Sequence, residues 1–190
     1  MPNWCNNSLE LQHDDPKMIE RAINAINADR FFSEFAPCPQ DLRETTSGFY
    51  GEGTPEQIEL QRKQKENIIN HGYSDWYSWS NANWGTKWEA CEAHEVKHSD
   101  NFIFVSFDTA WSPPIPFYEK LQDLGFIVKG YYYEGGMGYC GVWDDGDDDY
   151  HEIDGKSDWV MDNIPSDIDL MFCISENMAI WEEEEKECEQ

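Results

Sequence analysis

The chain has 190 residues and sets 39 Asp and Glu against 13 Lys and Arg, a formal charge of −26 at pH 7. Its 9 Trp, 9 Tyr and 10 Phe exclude the disordered reading that such acidity invites when aromatics are scarce. The charge itself excludes general affinity for nucleic acid, nucleotides or anionic membrane, and points to cations or basic proteins as partners.

Residues 3–11 read as a first strand, because Leu9 and Leu11 alternate with polar neighbours. Asp15-Pro16 opens a helix whose Met18, Ile19, Ala22, Ile23 and Ile26 share one stripe. Residues 31–53 read as a loop whose Phe31, Phe32 and Phe35 tuck under the body. Thr54-Pro55 starts a second, weakly amphipathic helix that His71-Gly72 closes. Residues 84–97 form a candidate strand, joined by a turn at 99–101 to Phe102–Phe107. That run is apolar on both faces, as in a central strand covered on both sides. Pro113, Pro114 and Pro116 lead into a helix from Phe117 to Leu124, and Phe126–Tyr133 is the next strand. Gly135-Gly136 turns it, and Tyr139–Trp143 returns as a hairpin partner.

Residues 144–154 follow as an acidic loop, in which seven of eleven residues are Asp or Glu. The last part holds a short helix near 165–171 and a C-terminal helix from about Ser175. The order strand, helix, strand, strand, helix, strand is the split βαβ pattern. The expected fold is therefore α+β and ferredoxin-like, an antiparallel sheet with helices on one face. A helical and loop insertion spans about 31–83. One domain covers 1–181, and 182–190 is a frayed acidic tail. No apolar run reaches the roughly 20 residues of a membrane span. Met1-Pro2-Asn3-Trp4-Cys5 has no basic or apolar leader pattern, so the chain is expected to stay in the cytoplasm. Six widely spaced cysteines without a CxxC then read as free thiols.

Four words in the chain, Met1-Pro2-Asn3-Trp4-Cys5-Asn6-Asn7, Asn83-Trp84-Gly85-Thr86-Lys87-Trp88, Phe107-Asp108-Thr109-Ala110-Trp111-Ser112-Pro113-Pro114 and Tyr133-Glu134-Gly135-Gly136, resemble the YubB ferredoxin-like domain family. The resemblance covers about residues 1–143. It implies an α+β sandwich on a four-stranded antiparallel sheet and an origin in bacteriophages or plasmids. It brings no catalytic residues.

Two surfaces qualify as sites. The first is the acidic run, with Asp144, Asp145, Asp147, Asp148, Asp149, Glu152 and Asp154 as carboxylates and Trp143 and Tyr150 as aromatic anchors for a partner. The second is a candidate cleft of Trp84, Lys87, Trp88 and Trp111; on a strand, Trp84 and Trp88 would share one face. The same tryptophans also fit a core edge, with Gly85 permitting a bulge.

His94-Glu95-Val96-Lys97-His98 matches a zinc-helix pattern in letters. It runs into a turn and a strand, however, and on a strand the two His stand about 13 Å apart, too far for one metal. The 144–154 run does not fit the EF-hand spacing, and Gly135-Gly136-Met137-Gly138 lacks the Lys and helix of a phosphate loop. No catalytic residue, metal site or cofactor is expected.

The function this supports is a non-enzymatic acidic phage protein. Its partner would be a basic or nucleic-acid-binding host or defence protein, bound by mimicry of DNA phosphates as a counter-defence inhibitor. Two other readings stay open: a binding or assembly protein without mimicry, and a metal-assisted enzyme.

Overall fold

The computed structural model describes residues 3–188. The elements are β1 (Trp4–Gln12), α1 (Pro16–Asn27), α2 (Phe31–Phe35), α3 (Gln40–Arg43), α4 (Pro55–His71), α5 (Trp76–Asn83), β2 (Cys91–Ser99), β3 (Phe102–Ala110), α6 (Ile115–Asp123), β4 (Ile127–Glu134), β5 (Tyr139–Asp144), β6 (Asp147–Glu152), α7 (Ser157–Asn163), α8 (Ser166–Phe172) and α9 (Ile174–Cys188). The strands form one six-stranded sheet in the order β2-β3-β1-β4-β5-β6, with every neighbour antiparallel.

Local chemistry accounts for the first elements. The Asp15 carboxylate accepts from Lys17 N–H at 3.0 Å and Pro16 occupies the first helical turn, so α1 begins there. Leu9 and Leu11 of β1 lie opposite Val105 and Ile103 of β3 and meet buried Ile19, Ala22 and Ile26 of α1. Phe117, Tyr118 and Leu121 of α6 close the same face. Gly130 lets the Tyr118 ring lie against β4, since a Cβ there would stand 2.6 Å from its Cε2.

The insertion enters this core. Phe31 and Phe32 are buried and pack on Phe117 with ring centroids 5.2 and 4.5 Å apart. They sit on α2, a short helix, where a loop was expected. Its first-turn N–H groups, which have no partner within the helix, find one far along the chain, because the Glu89 carboxylate accepts from Phe32 N–H and, at 3.0 Å, from Ser33 N–H.

The expectation of helices on one face is corrected. A second apolar cluster on the opposite face joins Tyr131 of β4 and Cys140 of β5 to Val160, Ile164, Ile168 and Ile174 of α7–α9. β4 needs this cover because Val128 and Tyr132 point to one side while Tyr131 and Tyr133 point to the other. β3 is less covered than expected: Ile103, Val105 and Phe107 are buried, but Phe102, Phe104 and Ser106 are half-buried.

The boundary at 182 also moves, because α9 continues through Cys188. Glu182 is structural, accepting from Ser157 N–H at 2.8 Å at the start of α7. Glu189 and Gln190, and Met1-Pro2 of the first motif, lie outside the described residues. Cys5, Cys38, Cys91, Cys140 and Cys173 are free, and the Cys188 side chain lies outside those described. Among the described residues no helix is long and apolar enough to cross a membrane.

Candidate functional site

The four sequence words come together at one end of the sheet. Trp4 lies opposite Ala110, and Cys5 lies between Thr109 and Glu134. Residues 84–90 are turns, where a strand was expected, and they cross this end. Ser112 Oγ donates to Gly85 O at 2.7 Å. Gly85 has φ +78°, and a Cβ there would meet Pro116 Cδ at 2.5 Å, so no other residue fits unstrained.

The polar residues of these words are committed to the scaffold. The buried Asn7 amide donates to Cys5 O at 2.8 Å and Thr109 Oγ1 at 2.9 Å, and Tyr118 O–H donates to its Oδ1 at 3.3 Å. Glu134, 1% exposed, accepts from Gly136 N–H at 3.2 Å and Met137 N–H at 2.5 Å. Burial pushes the Cys5 thiol up to about 12, so it stays protonated and is a poor nucleophile. This end of the sheet is a latch between strands and loop.

A cleft opens beside the latch. Trp84, Lys87 and Trp88 line it together with Cys38, Arg43, Trp76, Ser80 and Glu89, and it holds about 240 Å³. Trp84 is oriented by its indole N–H, which donates to Ala36 O at 2.8 Å, and by an edge contact with Trp79 at 5.4 Å. Lys87 Nζ stands 4.2 Å from the Trp88 ring centre, and Trp88 packs on Trp4 at 6.3 Å.

Trp84 and Trp88 do not share a strand face: one points inward and the other forms the rim. Trp111 is not in the lining. It is 47% exposed with φ +74°, rare for a bulky residue, held by its N–H to Asn3 O at 3.0 Å and by Tyr139 O–H donating to its carbonyl at 2.7 Å. Sequence reasoning missed Arg43, Trp76 and Ser80, which lie in the insertion and carried no spacing relation to residue 84.

The acidic run is a hairpin arm, where a loop was expected. Asp145 (φ +50°) and Gly146 (φ +101°) form its two-residue turn. Asp-Gly is the sequence signal for such a turn, and it was available in the chain. β6 is an outer edge of the sheet, and Asp147, Asp148, Asp149 and Tyr150 are exposed on it. Charge on an edge also discourages pairing with another chain.

Several of these carboxylates have partners. Asp144 pairs with Lys129 at 3.5 Å, Asp145 accepts from Gln122 Nε2 at 2.6 Å, and Asp148 accepts from Tyr132 O–H at 2.7 Å. Asp149 Oδ1 lies 3.2 Å from His151 Nε2, without hydrogen-bond geometry. Glu152 and Asp154 are exposed. Trp143 cannot anchor a partner, being 1% exposed and packed on Tyr118 at 5.7 Å. Tyr150, 49% exposed and tilted against Tyr139 with ring centroids 5.5 Å apart, can.

The charge reaches beyond this run. Residues 144–190 hold 18 of the 39 Asp and Glu but two of the 13 Lys and Arg. On α9, Glu183, Glu184, Glu185 and Glu187 are exposed. On the opposite edge, His94 and His98 of β2 make local contacts, to Glu92 O at 3.0 Å and Glu95 Oε1 at 2.5 Å. Among the described residues no group of three or more His, Cys, Asp and Glu is placed to hold a metal ion.

No family model and no curated protein matches the chain. The structure is similar to the crystal structure of a protein, api92, from Yersinia pseudotuberculosis (family model DUF1281). The TM-score is 0.45 at 11% identity, covering 82% of this chain and 99% of that one.

Proposed function

We propose that this chain is a non-enzymatic binding protein with a ferredoxin-like core, of the YubB ferredoxin-like kind. Its acidic C-terminal quarter docks a basic, nucleic-acid-binding protein. The core reading rests on the βαββαβ order and on β4-β1-β3-β2 as the sequence of the first four strands across the sheet.

The function rests on one observation: of the 18 acids in residues 144–190, 14 are carried on elements added to that core, β6 and α7–α9. Asp147 and Asp149 share one face of β6 about 6.8 Å apart, since neighbouring strand side chains alternate faces, and Asp144 and Asp145 at the turn extend this row of negative charge. A surface of that density steers an Arg- and Lys-rich partner and speeds its association. The setting we propose is the cytoplasm of a bacterial host, with the chain acting as a phage counter-defence inhibitor.

A second reading, binding or assembly without mimicry, is favoured by the place of these acids on an open edge, where charge already serves to block strand pairing. The two separate in one experiment. A partner is captured from bacterial lysate on the wild-type chain, and its association rate is measured against a variant with Asp144, Asp145, Asp147, Asp148 and Asp149 changed to Asn. Mimicry predicts a rate that falls at least tenfold in the variant and falls with salt, and a complex that duplex DNA displaces. A rate indifferent to the substitutions and to DNA overturns it. Glu183, Glu184, Glu185 and Glu187 to Gln forms the companion variant. Glu182 is left intact because it holds Ser157.

A further inference from the structure

The cleft beside the latch has a chemistry opposite to that of the chain. Thirteen Lys and Arg serve 190 residues, yet Arg43 and Lys87 reach the same small cavity from separate segments. Neither pairs with a carboxylate among the described residues. The one acid in the lining, Glu89, is occupied by the backbone N–H groups of Phe32, Ser33 and Ala90. Glu89 keeps its negative charge, so the lining carries a net charge of +1, with neither cation paired to a carboxylate. Its walls are the indoles of Trp76, Trp84 and Trp88, and Trp84 is held in place by the Ala36 carbonyl before any ligand arrives. A preformed slot loses less entropy on binding.

We infer that this cleft binds a small planar aromatic monocarboxylate. The ring lies against the indoles, which favour stacked or edge contacts with another aromatic. The carboxylate meets the Arg43 guanidinium, which can grip both oxygens, and the Lys87 ammonium. About 240 Å³ accommodates one fused ring system with its acid group and lies below the roughly 300–1,000 Å³ of drug-sized sites. Single charge follows from the whole-chain field: at −26, each further negative charge on the ligand is repelled again, which disfavours a nucleotide phosphate.

The inference is independent of the acidic C-terminal quarter, since no residue of the cleft lies in 144–190. The probe is 2-naphthoate, titrated into the full chain by calorimetry, with 2-naphthamide and adenosine monophosphate as the neutral and the doubly charged comparisons. The expected result is saturable one-to-one binding of naphthoate. It should weaken about tenfold or more in Arg43→Gln and in Lys87→Gln, the loss of a charge-assisted hydrogen bond. It should be unchanged in the Asp-to-Asn variant of β6. Circular dichroism of each variant checks that the fold is retained; Arg43 is exposed and Lys87 half-buried, so both substitutions are expected to fold. Three results overturn the inference: no saturation by 10 mM, equal affinity for acid and amide, or tighter binding of adenosine monophosphate than of naphthoate.

Discussion

The Thr86 hydroxyl donates to the carbonyl of Ala110 at 3.0 Å and accepts from the N–H of the same residue at 3.1 Å. Ala110 ends β3 opposite Trp4, and the last pairing of β2 with β3 on its other side is Cys91 with Asp108. One side chain thus replaces the missing strand neighbour and ties the 84–90 turns to the sheet. The cleft and the latch share that segment, so Thr86 positions Trp84, Lys87 and Trp88 as well.

Thr86→Val keeps the shape and removes both bonds, leaving a buried N–H and a buried C=O unpaired. The expected cost is about 2–6 kcal/mol by urea denaturation, from about 1–3 kcal/mol for each of the two orphaned groups. Thr86→Ser keeps the hydroxyl and should cost about 1 kcal/mol or less. Equal losses in the two variants would mean that the hydroxyl is not the latch.

The two faces of β3 should respond differently. Val105 is fully buried, whereas Phe104 is half-buried. Val105→Asp is expected to abolish cooperative folding, because an unpaired buried charge is very costly. Phe104→Asp should give a folded, less stable protein. Near-ultraviolet circular dichroism of both variants checks this, and a folded Val105→Asp would contradict the register of β1 with β3.

Acid should uncouple α2 from α1. Arg21 Nε donates to Glu34 Oε1 at 2.7 Å, and this bond, with Arg30 close by, holds the Glu34 carboxyl below its ordinary 4.5. A depressed folded value means that the stabilisation is present above about pH 4.5 and is lost as the pH falls through the folded value. Glu34→Gln should therefore cost up to about 1 kcal/mol at pH 7, the scale of a partly exposed ion pair. The difference from wild type should shrink toward zero as the solution is taken below pH 4.5. Urea midpoints of the two proteins across pH 3–7 measure it; a difference independent of pH would assign the effect to packing instead.

Thiol labelling should follow burial. Burial pushes Cys5 up to about 12 and Cys140 up to about 11, whereas Cys173 is exposed. In a Cys188→Ser chain at pH 8, Cys173 is expected to label first. Cys5 should label only at the rate of global unfolding, since the thiolate is the reacting species. Mass spectrometry of labelled peptides gives the order. Early labelling of Cys5 would show that the sheet end opens locally.

What the amino-acid sequence determined by itself are the features written in neighbouring residues. The start of α1 follows from Asp15-Pro16, and the ends of α4 follow from Thr54-Pro55 and Gly72, because caps and left-handed terminators act within a few residues. β1 follows from alternation, and β3 from a continuous apolar run, although that run gave no sign of which side is buried. Tertiary structure decided the rest. Helix α2 depends on a carboxylate 57 positions away, Glu89, so no local pattern announces it. β6 has almost no apolar residues, and its strand form comes from pairing with β5. The turns at 84–90 displaced an expected strand because Thr86 supplies the hydrogen bonds that a strand would have made. Arg43 and Trp76 joined Lys87 and Trp88 only when the insertion folded back on the sheet end, since the contacts that hold them there link residues far apart in the chain.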